Sequence, residues 1–426
     1  MTESSENLSA GRTDGSGRRP RARLIAFYLP QFHPIPENDK WWGPGFTEWT
    51  NVAKARPLFP GHYQPRLPGD LGFYDLRLPE TRAAQAELAR SAGIEGFCYW
   101  HYWFAGKRLL ERPFNEVLRS GEPNFPFCLG WANQNWSGIW HGAPNRILME
   151  QTYPGPEDHE RHFYTLLSAF HDERYIRVHD MPLFVIFQPR ELPNVSAFVE
   201  QWQLLALKNG LKGIHFVSHL SHHEWASDYE GAGFSGAVVA TNLKMLAVPI
   251  RKLQASHYDR IKLQTRRIRI SERLRVSRRI AAYVGLKAWR RLFGAFPYIF
   301  HYEDAAMFFL NQLQPRMNSY PCIIPDWDNS PRSGARGLVL YGSSPDLFRN
   351  HAEEAVGVVE NREPEDRIIF VKSWNEWAEG NYLEPDRKFG HGYLDALREV
   401  VWGHRPSPHR RLPGRPPGAP AASYGT

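Results

Sequence analysis

Ile368 to Asp386, IIFVKSWNEWAEGNYLEPD, holds the residues best suited to chemistry. An apolar run with the length and β-branching of a buried strand, Ile368–Val371, breaks into Trp374, Asn375, Glu376, Trp377 and Glu379 before Gly380 lets the chain turn. On a continuing strand the two glutamates would face opposite ways; on a helical turn or tight loop they share a face. The expected arrangement is a carboxylate pair delivered by a strand end into a cleft walled by Trp374 and Trp377. Glycoside chemistry needs such a pair, one carboxyl holding a proton for the departing oxygen and the other anionic as nucleophile or base. Crowding and partial burial separate their pKa values and so divide the roles. The plain structural reading is a helix N-terminus with acidic residues and core tryptophans.

Further candidates follow other apolar runs. Trp131-Ala-Asn133-Gln134-Asn135-Trp136 offers two amides between indoles, suited to sugar hydroxyls or to tying down a loop. Trp100, His101, Tyr102 and Trp103 trail another run; Tyr28 and His33 flank the end of the first. Glu48, beside Trp49, is a third carboxylate candidate or a loop-anchoring ion pair. Asp326 and Asp328 surround Trp327. His219, His222 and His223 have spacings that suggest a metal site, but no helical H-E-x-x-H pattern or cysteine partner supports one, so no metal is expected, nor any cofactor.

These positions require a scaffold. Eight apolar runs recur: Leu24–Leu29, Ile94–Tyr99, Phe125–Gly130, Pro182–Phe187, Ile214–Val217, Gly236–Ala240, Cys322–Pro325 and Ile368–Val371. Most are separated by amphipathic stretches with helix start and stop signals, such as Pro79 before and Gly93 after the first. The pattern predicts an α/β fold, a single (β/α)₈ barrel spanning residues 21–404, with a doubly wound open sheet as competitor. No glycine-rich phosphate loop follows the first run, which argues against a nucleotide-binding sheet. In a barrel the active site sits at the C-terminal strand ends, where Trp, His, Asn, Asp and Glu gather here.

The chain has 426 residues and a net charge of +7, with 15 Trp and 18 Tyr, more indole than a core requires. Residues 1–20 and 405–426 read as disordered tails. Leu243–Pro297, after the sixth run, carries fifteen Lys or Arg against Asp259 and Glu272, a net of +13, so the remainder is −6. Interleaved Ile and Leu make it an amphipathic helical insertion suited to an anionic membrane surface, or a solvated excursion. No recognition motif supports nucleic acid. The polar N-terminus, the lack of an apolar span and three unpaired cysteines within apolar runs point to the cytoplasm, with contact to the inner membrane face through the insertion.

The segments YLPQFHPIPENDKWWGPGFTEWTNV, GFYDLR, GFCYWHYWF, WANQNW, DWDNSPR and SWNEWAEGNYLEPD resemble the WbsX-type family of lipopolysaccharide O-antigen biosynthesis proteins. That family is related to glycoside hydrolase family 99, the endo-α-mannosidase-like (β/α)₈ barrels. The resemblance covers Arg23 to Trp402. It implies a retaining enzyme in which Glu376 assists the sugar 2-hydroxyl as base, through a 1,2-anhydro intermediate, while Glu379 is general acid and then base. One departure stands out: Gln134 occupies a position where the family has Glu. The resulting expectation is an enzyme acting on a glycosidic bond of a cell-surface polysaccharide or lipid-linked precursor. A nucleotide-sugar glycosyltransferase and a non-catalytic carbohydrate-binding protein are the alternatives.

Overall fold

The computed structural model describes residues 17–59, 61–138, 143–220, 229, 231–239, 297–310 and 319–403. Eight parallel staves run in chain order around a barrel: β1 (Arg23–Tyr28), β2 (Ile94–Phe104), β3 (Phe127–Trp131), β4 (Met181–Ile186), β5 (His215–Leu220), β6 (Gly236–Val239), β7 (Ser319–Tyr320 and Cys322–Ile323) and β8 (Ile368–Val371). β1 pairs with β2 on one side and β8 on the other, Ala26 lying opposite Phe97 and Val371. β7 is split at Pro321, whose missing N–H interrupts the ladder. Its first half pairs with β6 and its second with β8, which completes the ring. The eighth strand occupies the expected residues; the second continues past Tyr99 because its aromatic end pairs with Lys107–Leu109 in a hairpin.

Helices follow the predicted signals: α1 (Pro79–Ser91), α2 (Arg112–Ser120), α3 (Pro156–His171), α4 (Val195–Lys208), α5 (Tyr302–Leu310), α6 (Pro345–Val359) and α7 (Gly392–Trp402). Asn194 caps α4 by accepting from the Ala197 amide, and Ser344 caps α6 by accepting from that of Leu347, ahead of Pro345. Gly93 ends the turn from α1 into β2 at φ 85°; a β-carbon there would lie 3.1 Å from Val401 of α7. Inside the barrel, Phe27 stacks on Trp100 at 4.8 Å and on Phe370 at 5.2 Å. That stack identifies which residues of each stave point inward, because side chains alternate along a strand.

Cys98, Cys128 and Cys322 are buried and outside any disulfide among the described residues, as their apolar contexts suggest. The basic insertion lies outside the described residues apart from Pro297, as do His222, His223, residues 1–16 and the C-terminal segment from 404. Among the described residues, no helix is long and apolar enough to cross a membrane.

Candidate active site

Beyond β8 the chain folds back as a small hairpin, Asn375–Glu376 antiparallel to Asn381–Tyr382, around a 3₁₀ turn at Trp377–Glu379. Three residues per turn bring positions i and i+3 onto one face, and here both carboxylates reach one guanidinium. Arg332, from the short helix Ser330–Ser333 after β7, lies 3.2 Å from Glu376 and 2.8 Å from Glu379. It also holds Glu48, 3.1 Å away at the start of helix Glu48–Ala53 after β1. Loops after β1, β7 and β8 thus meet at three carboxylates and one cation. Glu48 is both the third carboxylate and a loop anchor.

Arg332 is buried; although burial opposes its charge, Glu48, Glu376 and Glu379 hold it firmly protonated. A single positive charge cannot balance three ionised carboxylates. Burial pushes Glu376 up to about 8, and the neighbouring Glu379 and Glu48 add to the rise against the pull of Arg332. At neutral pH the free protein therefore keeps a proton on Glu376. The Glu379 side chain is 21% exposed against 11% for Glu376, so Glu379 is the better solvated of the pair.

The turn is fastened from two sides. Gly380 sits at φ 65°, where a β-carbon would come within 2.9 Å of the Asp328 backbone nitrogen and Cβ, and the Glu379 carbonyl accepts from the Asp328 amide at 2.7 Å. On the other side Trp377 donates to Glu384 at 2.6 Å and stacks on Tyr382 at 3.7 Å. Glu384 also accepts from Tyr74 and Gln85. Its burial lifts it to about 7, while the hydrogen bonds from Trp377, Gln85 and Tyr74 restrain the rise.

The structure divides the residues singled out from sequence. Trp100, Tyr102, Trp136, His219 and Trp327 gather at the barrel mouth with Glu376, Glu379 and Glu48. Trp100 stacks over Phe27 and meets His219 and Phe187 edge-on. Tyr102, whose phenol is kept neutral by burial and by Glu376, packs against half-buried Trp136 at 5.0 Å.

The others are held elsewhere. Trp374 and Trp377 are fully buried, so they support the turn from behind rather than wall a cleft. Asn375 accepts from the Leu29 amide and donates to the Leu29 carbonyl, joining the ends of β8 and β1. Tyr28 is buried and donates to Gln85; Trp49 donates to the Tyr74 carbonyl. His101, Trp103 and Trp131 point out of the barrel into α3, His101 against His162 at 2.8 Å and Trp103 bonding Asp158. Asn133 ties its loop to Tyr153 and Gln188, and Asn135 accepts from the Gln151 amide. Asp328 is enclosed by His62, Gln64 and Ser330. His33 is buried and lowered to about 4 by desolvation; the charges acting on it are Asp75, Arg77 and Arg112, none of them in the cluster.

Sequence reasoning missed Arg332, Glu384, Phe187 and Lys372. Arg332 and Glu384 sit inside conspicuous segments, DWDNSPR and YLEPD, but a lone arginine in a loop carries no spacing signal. Among the described residues, no group of three His, Cys, Asp or Glu could hold a metal ion.

Comparisons with known proteins agree with this architecture. The chain is 34% identical over 383 residues to the uncharacterized protein WxcX of Xanthomonas campestris pv. campestris strain B100, covering 89% of this chain and 50% of that protein. A second WxcX, from strain ATCC 33913, is 35% identical over 388 residues with the same coverage. The chain thus spans about half the length of these relatives. The family 99 endo-α-mannosidase of Bacteroides thetaiotaomicron shares the fold with a TM-score of 0.50 at 12% identity, over 89% of this chain and 96% of that one. A glycoside hydrolase-like protein does so with a TM-score of 0.50 at 13% identity, over 89% and 94%. Residues 24–397 match the family described as Glycosyltransferase WbsX, and the chain belongs to that family.

Proposed function

We propose that this protein is a carbohydrate-active enzyme of glycan biosynthesis that rearranges a glycosidic bond with retention, using Glu376 and Glu379. The observation that carries the reading is the clamp: one buried arginine holds both glutamates at the barrel mouth, leaving a proton in the cluster. Membership of a family described as glycosyltransferases supports chemistry at a glycosidic bond.

In the free protein that proton rests on the more buried Glu376. A sugar hydroxyl donating to Glu376 stabilises its anionic form, and the proton then belongs on Glu379, which faces solvent more. From there Glu379 protonates the departing glycosidic oxygen. Glu376 takes the proton of the 2-hydroxyl as its oxygen closes on C1, giving the 1,2-anhydro sugar. In the second half Glu379 deprotonates the acceptor, whose oxygen opens the ring at C1, and Glu376 returns its proton to O2. Two inversions give retention. Water as acceptor gives hydrolysis and a sugar hydroxyl gives transfer; the family description favours transfer.

Incubation with defined α-mannosides and with the host's own polysaccharide, followed by product analysis, tests the proposal. A new or broken glycosidic bond of retained configuration, absent with Glu376→Gln, is the expected result. A product of inverted configuration, or one formed equally by the variant, overturns it.

A further inference from the structure

Lys372 follows β8 directly, four residues before Glu376. Its side chain lies on the same face as that of Phe370, which stacks on Phe27 inside the barrel. The residue is half-buried, and its ammonium acts electrostatically on both His219 and Glu376. Among the described residues it has no carboxylate at ion-pair distance; Arg332 holds Glu376 instead, and Lys372 lies over the ring of Trp327 at 5.2 Å. Cation–π contact replaces only part of the hydration a half-buried ammonium loses. Two further nitrogens, Nε1 of Trp327 and Nε2 of His219, are buried without a hydrogen-bond partner among the described residues. Beside the Lys372 ammonium the mouth thus holds an indole N–H able to donate to oxygen and an imidazole nitrogen open to a hydrogen bond.

We propose that Lys372 fits this mouth to an acidic saccharide, its ammonium receiving the anionic oxygens of a carboxylate or phosphate on the sugar bound beside Glu376 and Glu379. The assignment rests on the carbohydrate reading above and adds the charge of the substrate. A neutral glycan leaves the ammonium facing hydroxyls; an acidic one supplies a charge-assisted hydrogen bond and a counter-ion together.

The test measures calorimetric affinity of the full chain for methyl hexosides, the matching methyl hexuronides and the matching hexose 6-phosphates. Wild type is expected to prefer an acidic form over its neutral counterpart by about tenfold or more. The uronide and phosphate arms identify which anion is taken. Lys372→Gln should erase the preference by weakening the acidic form far more than the hexoside, and Lys372→Arg should retain it. If Lys372→Gln fails to fold, salt serves instead: the wild-type preference must shrink as ionic strength rises, while hexoside affinity stays level. Equal affinity for acidic and neutral forms, a preference unmoved by Lys372→Gln, or one insensitive to salt overturns the inference. Equal affinity leaves the carbohydrate reading standing, because turnover and its loss in Glu376→Gln are scored separately.

Discussion

Two groups of carboxylates lie on either side of one backbone contact, and they are built on opposite principles. Asp328 accepts from Nε2 of His62, from Gln64 and from the Ser330 amide, with Arg66 3.7 Å away. The Leu58 amide donates to Nδ1 of His62, so Nε2 carries the proton that Asp328 receives. Against burial, the His62 hydrogen bond and the Arg66 charge hold Asp328 down at about 2. Across the 2.7 Å contact between the Asp328 amide and the Glu379 carbonyl, Glu376, Glu379 and Glu48 share one guanidinium, and Glu376 rises to about 8. One group has donors to spare and one has too few. A saturated carboxylate makes a scaffold, and an undersupplied one keeps a proton to give, as a reacting site requires.

The largest expected effect follows from the undersupplied side. Glu376→Gln and Glu379→Gln should each reduce turnover by on the order of 10²–10⁴-fold, with sugar affinity and folding kept. Near-normal turnover in either variant would remove the pair from the chemistry. The same measurement on Asp328 should separate stability from catalysis. Asp328→Ala leaves the His62 and Gln64 donors without their acceptor, while Arg66 keeps Asp326, and should cost about 1–3 kcal/mol for each stranded donor in urea unfolding.

pH sharpens the contrast, because the two shifts have opposite signs. Asp328 is lowered in the folded state, so its stabilisation is present above its unfolded pKa and is lost as pH falls through about 2. Glu376 is raised, so the folded state holds a proton the unfolded chain releases, and stability declines as pH rises from about 4.5 toward 8. Glu376→Gln removes that decline. The variant should be more stable than wild type at pH 8 by on the order of a few kcal/mol, with the gap closing near pH 4.5. Urea midpoints across this range check it; a constant difference would mean Glu376 is not the group that titrates.

Much of this scaffold is legible in the sequence because its signals are local. β8 ends where the apolar run ends, and α6 begins at Ser344-Pro345 as capping chemistry requires. The glutamate pair is legible too, since residue type and spacing suffice. Which aromatics reach the mouth is not, because that depends on strand parity. Trp100 points inward and His101 outward although they are neighbours, and parity is known only once Phe27 and Phe370 are seen to stack inside the barrel. Trp374 and Trp377 mislead for a related reason. Asn375 pins the chain to Leu29, and the hairpin then turns both indoles into the core while the carboxylates face the mouth. Arg332 joins three loops far apart in sequence, so only the fold brings it to its partners.

The smallest expected effect concerns Gln134, where the family resemblance leads one to expect Glu. The side chain is exposed at the end of the β3 loop, and its Oε1 accepts from Gln188 Nε2 at 3.1 Å. A glutamate keeps that acceptor, so Gln134→Glu should preserve the loop and change stability by less than about 0.5 kcal/mol. In the charged cluster Arg332 pairs with Glu48, Glu376 and Glu379, whereas the Gln134 side chain meets Gln188. A new charge in solvent-exposed surroundings interacts weakly with a site in water, worth about 1 kcal/mol at most. Gln134→Glu should therefore alter kcat/KM by no more than about fivefold at moderate salt, and by less as salt rises. A gain of tenfold or more in kcat that resists salt would mean the loop closes over bound glycan and brings position 134 to the reacting sugar, giving the β3 loop a part in the chemistry that its place in the free protein does not reveal.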